Sequence, residues 1–232
     1  MDKWKALAIP RDEFLELVKN KSCCNGLDIL KTTDLTATGY VFRLDDGCYA
    51  VTAHGFIPKE AATKYEHSDR VPYKHWAREG WCTLTEGAVT DYSYIESHMV
   101  ETSQSWKVEE VCYDPYNATH FIQGLEKQGY TCIELRQIMG LLTLPTKRFR
   151  ELVLQEKIIH DGSPLLTWCL SNVYEIVDSN GNIKLSKKHK DDSQRIDLIA
   201  GVINAMARVL LYESQLNVSE FAEDEFLDKL WG

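Results

Sequence analysis

CCNGLDIL (23–30), LTATGYVFRL (35–44) and GCYAVTAHGFI (47–57) form one nearly unbroken stretch, and its reading decides the fold. Each run is rich in β-branched and aromatic residues, and Asp45-Asp46-Gly47 supplies turn chemistry between the last two. The three runs predict an antiparallel three-stranded meander. Downstream the pattern changes to a helix at 91–102, a strand at 108–114, a helix at 117–129 ending at Gly129, and a strand at 130–135. Strands in one block followed by alternating helix and strand predict an α/β chain. Its mixed sheet is an antiparallel meander followed by parallel strands, flanked by helices.

Outward from that core, residues 1–22 are charged, helix-prone and broken by Pro10, and they read as a lead-in outside the core. Residues 58–90, with Pro58, Pro72, Trp76 and Trp81, read as an insertion on the sheet edge carrying a short helix at YKHWAREG. Tyr73, Trp76 and Trp81 suit a small satellite core there better than a base-stacking platform. His54, His67 and His75 lack the i, i+4 spacing of zinc ligands. Pro145 is placed to start a helix running through Gln155, residues 164–173 are helical, and 174–187 make a β-hairpin with Asn180-Gly181 in its turn. A last long helix over about 193–213 carries Ile196, Ile199, Ala200, Ile203, Ala207 and Leu210 on one stripe. Residues 214–232 form an acidic amphipathic tail.

A chain of 232 residues, 44% hydrophobic and 26% charged, can bury a core without staples. No window approaches the roughly 18 apolar residues of a bilayer span. The first residues carry acids and no apolar signal core, which points to a cytoplasm. Seven cysteines without a C-x-x-C pair argue against zinc and disulfide frameworks, and Cys112 and Cys132 sit in apolar runs as small hydrophobes. The net charge of -9, from 35 acids against 26 bases, speaks against nucleic acid unless some of those acids are gathered to hold cations.

Three acids stand where packing would not put them. Asp28 interrupts the apolar run Leu27-Asp28-Ile29-Leu30, and a charge buried there is costly unless it is paired or bound to metal. Asp114 ends a strand and is held extended by Pro115, at the sheet mouth where ligands bind. Asp197 opens the last helix and shares a face with Ala200, Gly201 and Asn204, small enough to let the helix approach the sheet closely. If the three meet, they offer the oxygen shell that hard cations take, with one carboxylate bridging two ions roughly 4 Å apart for in-line phosphoryl displacement. Taken singly, each is also what a turn, cap or helix-dipole position attracts. Asp34 reads as a turn former or an accessory acid; Asp178, Asp191 and Asp192 read as structural.

GLDILKTTDLTA (26–37), VCYDPYNA (111–118), LPTKRFRELVLQEKIIHDGSPLLTWCLSNV (144–173) and QRIDLIAGVINAMA (194–207) resemble, in order, the nuclease domain of the large terminase subunit of tailed bacteriophages. The resemblance covers residues 23–213. It implies an RNase H-like fold that cuts concatemeric double-stranded viral DNA during genome packaging, in the cytoplasm of the bacterial host. It further implies two divalent metal ions, magnesium or manganese, held by Asp28, Asp114 and Asp197, with Asp34 as an accessory acid. The implied partners are the terminase ATPase domain, the small terminase subunit and the portal, with no membrane. Ile29-Leu30-Lys31 departs from the small hydroxylic residues expected after GLD, which bears on water access and metal geometry.

No G-x-x-x-x-G-K-[ST] loop is present, so the chain reads as the nuclease half alone, excised or naturally split, with residues 1–22 a remnant of the interdomain connection. Lys184, Lys187, Lys188 and Lys190 around and after the hairpin lead into Asp197 and are candidate phosphate contacts. Lys147, Arg148 and Arg150 are either that or a solvated helix face. His160 and Asn172 order loops. Nothing resembles a base-reading element, which implies little sequence preference. Competing readings are another RNase H-like nuclease, such as a junction resolvase or hybrid nuclease, and a non-catalytic module docking onto the packaging motor. A Cys/His hydrolase built on Cys23-Cys24 has no motif to support it.

Overall fold

The computed structural model describes residues 1–29, 33–68, 70–116, 118–187 and 194–223, the last eleven of these as backbone only. β1 (Ser22–Asp28), β2 (Thr36–Arg43) and β3 (Tyr49–Pro58) form the expected antiparallel meander, with Gly26 opposite Gly39 and Ala37 opposite Gly55. On the other side of β1, β5 (Lys107–Tyr113) and then β6 (Cys132–Glu134) add in parallel. The outer edge of β3 is shared by two short parallel strands, β4 (Cys82–Thr85) along its second half and β7 (Ile158–His160) along its first. The path through the sheet is therefore β4-β3-β2-β1-β5-β6. β4 and β7 have too few residues to show a period in sequence.

Side chains alternate across this sheet as strand geometry requires. Leu27, Phe56 and Val111 point to the face covered by α5 (Tyr92–Thr102) and α6 (Thr119–Lys127), where Ile95, Met99, Phe121 and Leu125 bury them. Cys24, Ala37, Val41 and Cys112 point to the other face, against Leu198, Val202, Ala205 and Met206 of α9 (Asp197–Glu223). α9 crosses β1 and β2 with backbone almost on backbone. A Cβ at Gly26 would run into the Gly201 carbonyl, one at Gly39 into the Val202 amide, and one at Gly201 into the Gly26 carbonyl. The small face read from Ala200, Gly201 and Asn204 is thus the face that meets the sheet.

Several boundaries differ from expectation. Residues 1–22 belong to the core: α1 (Asp2–Ala6) and α2 (Arg11–Val18) bury Trp4, Phe14 and Val18. Trp4 stacks on His160 with ring centroids 3.8 Å apart, and the Ile9 amide donates to the His160 carbonyl at 2.9 Å. The 58–90 segment holds α3 (Lys59–Ser68), α4 (Tyr73–Arg78) and β4. Its Tyr73 and Trp76 join the main core against Trp168 of α8 (Pro164–Ser171) rather than forming a satellite, and Trp81 lies under the Arg11 guanidinium. α7 (Met139–Leu154) starts six residues before Pro145, which sits inside the helix; the missing N–H costs one hydrogen bond that the apolar contacts of Leu142, Phe149 and Leu152 outweigh. β8 (Val173–Val177) and β9 (Ile183–Lys187) make the predicted hairpin as a separate two-stranded sheet. α9 runs to Glu223, so the first part of the expected tail is helix; the rest, 224–232, lies outside the described residues.

Candidate active site

Asp28 is the last residue of β1 and Asp197 the first of α9, and the glycine crossing carries the helix start over the strand end. Both line a cavity of about 290 Å³, together with Asp34, Asn204, Lys184 and Lys187. Asp34 lies in the β1–β2 connection and is 7% exposed. Its Oδ1 accepts from the Leu35 amide at 2.8 Å and from Nε of Arg195.

Asp197 is the unusual group. Its Oδ2 is buried and accepts no hydrogen bond among the described residues. Burial and then the negative charge of Asp34 push its carboxyl up to about 6, against the opposing pull of Lys187 and Arg195. A buried carboxylate oxygen without a donor is costly unless a proton or a cation completes it. The donor set of Asp28 and Asp197, hard oxygens at the mouth of an α/β sheet, suits a hard divalent cation. Among the described residues, no three His, Cys, Asp or Glu side chains stand together closely enough to hold an ion between them.

Asp114 is the candidate ligand that does not line the cavity. The β1–β5 register, Gly26 beside Cys112, carries it to the level of Asp28 and, by alternation, to the α9 face. β5 ends at Tyr113, however, and the Asp114 carboxylate folds into a local turn, accepting from the Tyr116 amide at 3.0 Å. Asp28, Asp197 and Asp34 thus line one cavity, and Asp114 is not among its lining residues.

The basic residues divide in two groups. Lys184 and Lys187 line the cavity, and Lys184 Nζ donates to the Gln137 carbonyl at 2.6 Å. Lys147 donates to the Gly181 carbonyl at 3.3 Å, Arg150 pairs with Glu175 at 2.6 Å, and Arg148 faces Glu151 at 3.8 Å. These three tie α7 to the hairpin and to itself. Lys188 and Lys190, like Asp191 and Asp192, lie outside the described residues.

Loop-ordering roles fit His160 and Asn172. His160 Nε2 donates to the Trp4 carbonyl at 2.9 Å while Nδ1 accepts from the Gly162 amide at 3.2 Å, so the ring is neutral. Asn172 donates to the Arg195 carbonyl at 3.0 Å, two residues before Asp197. Burial pushes the Cys23 thiol up, and the Cys24 thiol up to about 12, which makes both poor nucleophiles. Gln137, which lines the cavity, and Arg195, which pairs with Asp34 behind it, are groups that sequence reading missed. Arg195 stands inside the QRID motif, but nothing in sequence shows that its guanidinium is buried; Gln137 carries no signal at all.

A family model of the terminase large subunit endonuclease domain matches residues 12–213. Protein YmfN of Escherichia coli K12 is 25% identical over 218 residues, 90% of this chain and 48% of that protein. The large terminase subunit of Enterobacteria phage HK97 is 28% identical over 164 residues, 70% of this chain and 32% of that protein. The chain thus spans about half or less of the curated relatives it matches. The crystal structure of the HK97 large terminase superposes with a TM-score of 0.73 at 26% identity, over 86% of this chain and 43% of that one. The large terminase nuclease of thermophilic phage G20c with bound magnesium superposes at 0.52 and 12% identity, over 86% and 97%, a likeness of fold. The mixed sheet with α9 laid across its meander is the RNase H-like fold these nucleases share. By the family match and this shared architecture, the chain belongs to the terminase large subunit endonuclease domain family.

Proposed function

We propose that this chain is a metal-dependent endonuclease that hydrolyses phosphodiesters of double-stranded viral DNA during genome packaging. The observation that carries the reading is the buried Oδ2 of Asp197, without a donor among the described residues, in a cavity shared with Asp28 and Asp34. Asp28 and Asp197 hold the cations, two magnesium or manganese ions, and Asp114 joins them by releasing the Tyr116 amide. Asp34, engaged by Arg195, acts as the accessory acid behind them. Bound divalent ions supply Lewis acidity toward water and toward the scissile phosphate. The protein side of the reaction is placement. The α9 start and the β1 end set the carboxylates, while Lys184 and Lys187 put positive charge where a phosphodiester must lie. Lys188 and Lys190, outside the described residues, are further candidate phosphate contacts by sequence.

In this reading the domain works with a terminase ATPase, a small terminase subunit and a portal in the cytoplasm of the bacterial host. No helix among the described residues is long and apolar enough to cross a membrane. The test is incubation of purified protein with supercoiled plasmid and manganese or magnesium. Nicking and linearisation are expected, and they should vanish in Asp197→Ala; activity that survives this change refutes the assignment. Cleavage confined to branched or RNA–DNA hybrid substrates would favour another RNase H-like nuclease. Absence of manganese uptake by calorimetry would favour a docking module.

A further inference from the structure

Asn204 stands on α9 seven residues after Asp197, on the same helix face, and it is 2% exposed although it lines the carboxylate cavity. Its Nδ2 donates to the Leu27 carbonyl at 3.0 Å, the oxygen of the peptide that joins Leu27 to Asp28. A carbonyl only accepts, so this bond fixes which way the carboxamide points. Oδ1 is then left to accept, and it does so from Gln137 Nε2 at 3.0 Å. The main-chain carbonyl of Gln137 in turn accepts Lys184 Nζ from the hairpin. One polar chain therefore runs from β9 through Gln137 and Asn204 to the backbone that carries Asp28.

This chain acts where the sheet does not. The parallel ladder between β1 and β5 ends at Gly26 and Cys112, two residues short of Asp28. Beyond it, β1 keeps its antiparallel pairing with β2 on one edge only, through Leu27 with Thr38 and Asp28 with Ala37. The glycine crossing sets how closely α9 approaches the sheet, and further along the helix Arg208 pairs with Glu110 of β5. The directional bond from Asn204 to Leu27 adds a tie closer to the acids, between the backbone that carries Asp28 and the helix face that carries Asp197.

We infer that Asn204 is a positioning residue for the Asp28–Asp197 carboxylate pair, with Gln137 as its brace; this role rests on the nuclease reading above. Groups that orient the ligands of a metal ion typically change its affinity about 10- to 100-fold when removed.

The experiment is a calorimetric manganese titration of the wild type, Asn204→Ala and Gln137→Met, alongside urea unfolding of each metal-free protein. Asn204→Ala is expected to weaken manganese binding at least about tenfold. Gln137→Met, at a half-exposed position, removes the bracing bond to Asn204 and a longer one to the Leu135 carbonyl; it is expected to weaken binding by a smaller but measurable factor while its unfolding midpoint stays close to wild type. A purely structural Asn204 would lower the unfolding midpoint and leave the manganese affinity of the folded protein within about twofold, and that result overturns the inference. Should Asn204→Ala fail to fold, unchanged affinity in Gln137→Met overturns it equally. Failure of the underlying reading looks different: the wild type itself takes up no manganese, or Asp197→Ala leaves its uptake unchanged.

Discussion

Arg195 and Asp34, 161 residues apart in sequence, form an ion pair inside the protein. Arg195 is 1% exposed, its Nε donates to Asp34 Oδ1, and its guanidinium lies 4.5 Å over the Tyr65 ring from α3. The 58–90 segment thereby reaches the carboxylate cavity, because Tyr65 covers the cation that compensates one of its three acids. Removing one partner of a buried pair leaves the other charge uncompensated, which costs about 3–5 kcal/mol. Arg195→Met is therefore expected to destabilise by roughly that amount in urea unfolding. A loss below about 1 kcal/mol would mean that the pair is solvated and that α3 does not buttress the site.

The glycine crossing makes a second expectation. At Gly26 and Gly39 the nearest atoms a Cβ would meet are backbone atoms of α9, which cannot swing aside as a side chain can. Gly39→Ala should push the helix off the sheet, with a loss of about 3 kcal/mol or more and an uncoupling of Asp197 from Asp28. Gly47, in the β2–β3 turn at φ +75° with open space around it, serves as the contrast. Gly47→Ala should cost only the strain of its backbone conformation, about 1 kcal/mol. Equal thermal unfolding midpoints for the two variants would show that the crossing is looser than its geometry.

On the opposite face, His54 and His98 stack with ring centroids 4.3 Å apart, and His54 Nε2 meets Thr83 Oγ1 at 2.8 Å. Burial, reinforced by the Arg11 charge, lowers His98 to about 4, and burial with the neighbouring His98 lowers His54 well below the usual histidine range. The unfolded chain therefore binds more protons than the folded one between about pH 6.5 and 4. The stability this pair contributes is present above about pH 6.5 and drains away as pH falls toward 4. Asp161 and Asp197, whose carboxyls are raised, act in the opposite sense. His98→Phe keeps the stack and removes one titration. It should recover about 1–3 kcal/mol of the acid loss measured by urea unfolding at pH 4.5 against pH 7; an unchanged difference would place the acid sensitivity elsewhere.

How far these features were legible in sequence depends on their range. The meander shows because three neighbouring runs share one composition and a turn, and the α9 approach shows because Ala200, Gly201 and Asn204 repeat at helical spacing. Asp28 and Asp197 stand out for the same local reason, as charges placed within apolar patterns. Trp4 against His160 and Arg195 against Asp34 join residues more than 150 positions apart, and no local pattern encodes either pairing. Lys147 and Arg150, a basic cluster that sequence left open between phosphate contacts and a solvated helix face, engage Gly181 and Glu175 of the hairpin. Residues 1–22 looked peripheral because two short helices with few apolar residues give little periodicity, although Trp4, Phe14 and Val18 are all buried.

Asp114 is where sequence and structure part most sharply, and it carries the last expectation. Its carboxylate accepts the Tyr116 amide in a turn begun by Pro115, a local arrangement worth about 1 kcal/mol. If that turn is its whole role, Asp114→Asn, which keeps a side-chain oxygen for the Tyr116 amide, should be silent in every assay. The register argues otherwise: continued two residues past its last pair, Gly26 with Cys112, it brings Asp114 level with Asp28 on the face that α9 covers. Releasing the Tyr116 amide gives up one exposed hydrogen bond, a small cost against the gain of completing a cation's oxygen shell. Asp114→Asn is thus expected to unfold at the wild-type urea concentration and yet lose manganese-dependent plasmid cleavage by about 100-fold or more. Full cleavage by that variant would leave Asp28 and Asp197, with Asp34 behind them, as the working set.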